Sequence, residues 1–408
     1  MNIKIVFKVT VPLLLLLLLL VLVLARPFYQ GGGGKVPMPL PDFPIPLAFT
    51  GDSRGLKATE IVSTLDAPIT KGKNAIWCAS FLSAWKAMEQ DFVREAILLD
   101  SPPKTAGLLN DAVDPRPFIP ASAMYTAIGW SQSGIVEHIR SDLRRRFPDK
   151  EPPTFPGITP DSFVAFAYLE ANVTFSLPFN QNKEPFPFMD GSGNKTQVTS
   201  FGLPLEDVNT YSKLRAQVHI LFLSDKWTWT NETTGMTYEE FVIDLCSNSS
   251  PSQIIVAKIA PQPTLAAALA QVQKDIATAD RSDYISIHDS LLVPDFHWFV
   301  SHRFSELEGR GFGNQKLKGQ RLDVARQDIL FRLDKNGAEL KAEARMNMTS
   351  QPKALYLDRP FLIYMKTRGA QTPFFVMWID NAELMNPWNP TSAQTVISHK
   401  GQTVLLHN

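Results

Sequence analysis

Residue types able to do chemistry are present but scattered. Gly129-Trp130-Ser131-Gln132-Ser133-Gly134 comes nearest to a catalytic motif. A nucleophile elbow needs G-x-S-x-G, with the serine on a sharp strand-to-helix turn that exposes its hydroxyl. Ser133 stands where the second glycine belongs and no apolar strand is read before it, so the segment is read as a helix start capped by serine. The seven histidines, His138, His219, His288, His297, His302, His399 and His407, show no H-E-x-x-H or other ligand spacing. His297 and His302 are five residues apart, which suits neither one strand face nor one helix face. His288-Asp289-Ser290 is contiguous, whereas triads assemble from distant positions. The two cysteines, Cys78 and Cys246, make no disulfide framework and are read as buried free thiols. With no spaced nucleophile and base, no metal set and no phosphate-cradling glycine loop, the chain is read as a non-enzyme without a cofactor, a hydrolase being the remote alternative.

The elements that position these residues mix helix and strand without strict alternation. Leu82, Trp85, Met88 and Phe92 recur at helical spacing and predict a helix over 80–98. Ile135, Ile139 and Leu143 predict a second over 133–146, with Arg144, Arg145 and Arg146 at the end where the dipole favours cations. Leu265, Leu269, Val272 and Ile276 predict a third over 264–276, with Thr264 as its N-cap. Phe163 to Leu169 is apolar throughout, as for a strand covered on both faces. Residues 217–223, 240–245 and 254–259 are further strands, and 361–365 pairs with 374–379 as a hairpin around Gly369. Strands with helices set among them indicate an α+β fold.

Forty basic and forty acidic residues give no net charge, and the three arginines suit a solvated helix end, so a nucleic-acid partner is not expected. Lys4 and Lys8 precede a charge-free run from Val9 to Ala25 that holds Leu13 to Leu20. Residues 1–25 therefore read as a secretory signal or, if uncleaved, a membrane anchor in residues 9–25. Residues 26–47, with Gly31 to Gly34 and then Pro37, Pro39, Pro41, Pro44 and Pro46, read as a tether. The main domain is expected over 48–388, with a C-terminal tail over 389–408. The expected location is extracellular, cell-surface or periplasmic. N-x-[ST] sequons occur at Asn172, Asn194, Asn231, Asn248 and Asn347.

A set of local matches falls in the order of one family. Asp358-Arg359-Pro360-Phe361-Leu362-Ile363 resembles the D-R-P-F-L-F segment of serpins, and Phe375 to Asn381 resembles the closing strand. Ile329 to Gly337, followed by Ala338-Glu339-Leu340-Lys341-Ala342-Glu343-Ala344, resembles the serpin hinge. Pro294-Asp295-Phe296 is similar to the L-P-K-F strand start, and Phe163 to Phe188 to a central-sheet strand with the segment after it. Asn74 to Met88 is similar to the start of an early serpin helix, and Trp130 to Leu143 to the helix that crosses the main sheet. The resemblance implies a serpin-like α+β fold: a large central β-sheet, second and third smaller sheets and surrounding helices. The stretch from Met88 to Trp130 is too short for all the early helices, so several are missing. The family's buried polar cluster is altered: Cys78 and Phe81 stand for serines, Ala167 for an asparagine and Gln327 for a histidine. Phe175 stands for a tryptophan.

The resemblance further implies an inhibitor of a serine protease, or of a cysteine protease, working through an exposed reactive-centre loop. The enzyme forms an acyl bond to the loop, and the cut loop inserts as a new strand in the main sheet. Insertion needs alternate small or apolar residues. Past Gly337, residues Ala338, Leu340, Ala342 and Ala344 alternate with Glu339, Lys341, Glu343 and Arg345. Leu340 and Lys341 are bulky for a hinge, which slows insertion; Glu339 and Glu343 also suit a helical face. The scissile bond falls among Met348, Thr349, Ser350 and Gln351, with Arg345 an earlier trypsin-like candidate. Met348 suits an apolar specificity pocket, and Pro352 disfavours a cut after Gln351. The alternative is a non-inhibitory serpin-fold binding or structural protein whose loop is only a substrate.

Overall fold

Phe163–Asn172 (β5) organises the molecule because its two faces enter two different cores. Phe163, Ala165, Ala167, Leu169 and Ala171 join the main core, which also takes in the helix Ala79–Lys86 (α1). Val164, Phe166 and Tyr168 join a smaller core with Ile139 and Leu143 of the helix Ile135–Arg146 (α3). Successive side chains of a strand point to opposite faces, so the unbroken apolar run is what a strand sandwiched between helices requires. The computed structural model describes residues 46–148, 151–172, 175–203, 214–231, 234–248, 252–279, 283–286, 288–335 and 352–389.

Among the described residues, β5 is the parallel neighbour of Arg321–Leu333 (β19), paired from Leu322 opposite Phe163 to Arg332 opposite Asn172 with a register shift between Leu322 and Val324. The central sheet runs Phe49–Asp52 (β1), Phe296–Arg303 (β17), β19, β5 and Met124–Trp130 (β4), with Arg310–Gly311 (β18) pairing on β19. The second sheet runs Asp283–Tyr284 (β15), His219–Leu223 (β10), Phe241–Asp244 (β13), Ser252–Lys258 (β14), Phe361–Thr367 (β21), Phe375–Ile379 (β22), Asn74–Cys78 (β3) and Thr59–Val62 (β2). The third runs Trp227–Asn231 (β11), Gly235–Tyr238 (β12), Lys353–Tyr356 (β20), Ser290–Pro294 (β16), Ser200–Leu203 (β9) and Asn180–Gln181 (β6). Phe186–Met189 (β7) and Lys195–Val198 (β8) make a separate hairpin.

The expected strands are all found, and β21 and β22 are antiparallel neighbours as expected. The helix Leu265–Thr278 (α4) is capped by Thr264, whose hydroxyl accepts from the Ala267 N–H at 3.1 Å. Three expectations are corrected. The helix over 80–98 stops as an α-helix at Lys86. A π-type turn, Ala87–Val93, comes next and closes at Arg94 with φ 70°. Its wider turn buries Met88 and Val93 together, five residues apart, which an α-helix would not align. A strand, β4, does precede the serine-rich turn, so 124–146 is strand, turn and helix. Neither Ser131 nor Ser133 caps the helix: Gly134, at φ 78°, occupies the N-cap. The short helix Lys104–Asp111 (α2) is not legible in the sequence, since Ala106 and Leu109 are its only buried residues and two positions make no periodicity. Cys78 and Cys246 are free and buried, and burial pushes the Cys78 thiol up to about 11.

Candidate functional site

Two described segments flank the stretch 336–351 in sequence, one from the central sheet and one from the third. On its N-terminal side β19 ends at Leu333, opposite Phe296 of β17. The carbonyl of Lys335 accepts from the Phe179 N–H at 2.8 Å, and Asp334, buried, pairs with Arg332. On its C-terminal side the Met236 N–H of β12 donates to the Pro352 carbonyl at 2.9 Å. The Lys353 N–H and ammonium then reach the two carboxylate oxygens of Asp289 at 2.8 and 3.3 Å. Asp289 is wholly buried, so this anchor works in a low dielectric where a charge-assisted hydrogen bond is strong. Gly235 allows the close approach: at φ +70° a Cβ there would lie 2.0 Å from the Pro352 carbonyl oxygen. The hinge residues Gly337, Ala338, Glu339, Leu340, Ala342 and Ala344 lie outside the described residues, as do the scissile candidates Arg345, Met348, Thr349, Ser350 and Gln351.

β5 and β19 meet along a parallel seam. Gln327, wholly buried, donates its amide to the Ser80 hydroxyl at 2.7 Å and to the Cys78 carbonyl at 3.1 Å. Ser80 and Cys78 are in turn 3.1 Å apart through their side chains. Ala167, opposite Gln327 in register, is small enough to leave the glutamine room. A polar link therefore joins β19 to the start of α1. Three of the positions that depart from the family pattern, Cys78, Ala167 and Gln327, meet here. Ser80 completes the link and escapes sequence reasoning, because a lone serine at a helix start reads as a cap. Phe81 and Phe175 are instead packed apolar: Phe81 against Phe304 at 4.2 Å, and Phe175 against Phe179 at 4.7 Å. Asp289 escapes it too, since in the sequence it stands only as a member of a contiguous triplet.

Two further titratable groups are shielded from solvent, Asp295 wholly and His302 in part. Asp295, between β16 and β17, accepts from Gln181 at 2.7 Å, and burial pushes its carboxyl up to about 6. His302 meets the Ser53 hydroxyl at 2.7 Å, and burial pulls its imidazole down to about 4. Among the described residues no hydrogen bond joins Ser131 or Ser133 to a histidine, and His138 pairs with Asp142 at 3.3 Å. Among the described residues no cluster of three or more histidine, cysteine or acidic side chains is placed to hold a metal ion. No helix of the described residues is long and apolar enough to cross a membrane.

No family model matches the chain, and no curated protein matches it. Among solved structures it is similar to native protease nexin-1 with heparin, at 11% identity over 76% of this chain and 92% of that one, TM-score 0.45. It is similar to thyroxine-binding globulin complexed with thyroxine at 12% identity over 76% and 93%, TM-score 0.49. It is similar to mouse protein-Z dependent protease inhibitor at 12% identity over 76% and 91%, TM-score 0.47. Among the described residues the fold is α+β: a central sheet with parallel β5 and β19, a second sheet with the β21–β22 hairpin in its middle, a third sheet, and few helices.

Proposed function

We propose that the chain is a divergent serpin-like inhibitor of a serine protease, with residues 336–351 as the bait. The observation that carries this reading is the polarity of the seam. The loop begins where β19 ends, and β5 runs parallel to β19. A segment that folds back from β19 into the seam is therefore antiparallel to both neighbours. Antiparallel pairing is somewhat more stable per residue than parallel pairing, and one ladder becomes two. Insertion of 338–345 thus has a driving force that an intact loop, tied at Lys335 and Pro352, is prevented from using. Arg345 and Met348 to Gln351 are the bond candidates, and residues 1–25 support an exported location. The test is incubation of the purified chain with trypsin-, chymotrypsin- and elastase-like enzymes. A band on a denaturing gel at the summed mass supports inhibition; cleavage without such a band supports the second reading.

That second reading is a non-inhibitory protein whose loop is only cut. What favours it is the state of the seam. β5 and β19 pair from Phe163 to Asn172 with one irregularity near Phe163, and Gln327 ties β19 to α1, so opening must break both. With bulky Leu340 and Lys341 in the hinge, insertion competes poorly with hydrolysis of the acyl-enzyme.

A further inference from the structure

The third sheet ends in a strand unlike an ordinary protein edge. Every residue of β11 is exposed, Trp227 and Trp229 by 48% and 45% of their surface. The two indoles are two residues apart on a regular stretch, opposite Tyr238 and Met236, so they lie on one face of the sheet. Among the described residues β11 pairs with β12 alone. Natural edges are blunted by lysine, proline or inward charge; Trp227-Thr228-Trp229-Thr230 carries none of these and is rich in strand-forming types. Tryptophan is also the side chain most enriched where partners bind.

The strip's position names its occupant. Trp229 is opposite Met236, and Met236 is the residue bonded to Pro352, where the loop rejoins the fold. One strand spacing is about 4.8 Å. The bonds from Met348 to Gln351 lie at most four residues before Pro352, about 14 Å of extended chain. An enzyme of some 230 residues is roughly 45 Å across from its radius of gyration. A protease that grips the chain within that distance of Pro352 comes within reach of β11. On the bait reading of residues 336–351, we propose that Trp227 and Trp229, with the open edge of β11, form a second docking site for the attacking protease. It fits an extended, uncharged segment of the enzyme's surface that pairs with the edge and sets aliphatic side chains between the indoles.

The test compares the full-length protein with Trp227→Thr/Trp229→Thr, threonine being kept for its strand propensity. The readout is the second-order rate of loop cleavage or complex formation by each protease that acts at 336–351. For the enzyme the site fits, the double variant is attacked about tenfold more slowly or worse. Trp227→Tyr/Trp229→Tyr restores most of the rate, and the melting temperature is unchanged in both. Each single Trp→Thr variant shows a smaller loss, which covers the case in which the double variant folds poorly. Equal rates for wild type and the double variant with every enzyme that cuts the loop overturn the docking site and leave the bait intact. Failure of all proteases to act at 336–351 overturns the bait and, with it, the docking site. A wild type that dimerises in solution, with a monomeric double variant and unchanged cleavage rates, assigns the strip to a second copy of the chain and overturns the protease assignment.

Discussion

Asp295, buried, and His302, partly buried, have opposite consequences for stability against pH. Asp295 holds its proton more tightly in the fold, up to about 6 against 3.8. Above pH 6 the fold carries a buried charge that burial disfavours, and acidification toward 4 removes it, worth about 3 kcal/mol in stability. His302 behaves the other way, since its value falls to about 4 from 6.5. The unfolded chain takes up a proton that the fold refuses, so acidification from 6.5 to 4 removes about 3 kcal/mol. Over pH 4–6 the two contributions oppose. Asp295→Asn is expected to be more stable than wild type at pH 7 and to lose that advantage on acidification, while His302→Gln gains stability over the same range. Urea midpoints at half-unit intervals from pH 4 to 7 check this; parallel curves for wild type and Asp295→Asn would mean that Asp295 does not titrate there. Neither shift is legible in sequence. Asp295 stands out there only as the departure from lysine in a strand-start pattern, and nothing local says that the position is closed to solvent by β9 and β6.

At the scale of elements, regular periodicity is readable and its interruptions are not. Helix α4 is read from four apolar positions and a threonine, and the cap is made. The serines before α3 look equally suited to capping, yet a strand delivers the chain there and Gly134 takes the cap position with a left-handed backbone. Such a turn is set by where β4 must end against β5, a tertiary constraint that local composition does not carry. The two cases separate experimentally. Thr264→Ala is expected to lower stability by about 1 kcal/mol, because the Ala267 N–H loses its acceptor. Ser131→Ala and Ser133→Ala are expected to change it by less than about 0.5 kcal/mol. Denaturant midpoints of the three variants decide the point, and a loss at Ser133 equal to that at Thr264 would contradict the glycine cap. The same limit explains the candidate site. The alternation past Gly337 is legible because it is local, whereas Gln327 with Ser80, and Lys353 with Asp289, join positions far apart in sequence.

On the scale of the whole molecule, the order of weak matches carries the fold, and the seam between β5 and β19 gives the inhibitory proposal a physical test. In the intact chain the loop is tied at Lys335, whose carbonyl accepts from Phe179, and at Pro352, whose carbonyl accepts from Met236. A single cut between Arg345 and Gln351 frees the N-terminal part. If 338–345 then enters the seam, the central sheet gains a strand. Ala338, Leu340, Ala342 and Ala344 turn toward the main core, on the side where Gln327, Ile329, Phe331 and Leu333 are already buried. Each new backbone hydrogen bond adds about 1 kcal/mol net, so eight inserted residues outweigh the parallel ladder that opens. Cleavage should therefore raise the melting temperature by well over ten degrees. Ala342→Arg should abolish the rise, since its guanidinium would have to be buried without a partner at a cost of several kcal/mol. Ala342→Val, apolar and β-branched, should keep most of it. The measurement is calorimetry of intact and singly cut protein for wild type and both variants. A wild-type melting temperature that does not move on cleavage means the loop stays outside the sheet, and the protein is then a serpin-like scaffold whose loop is cut without consequence for its core.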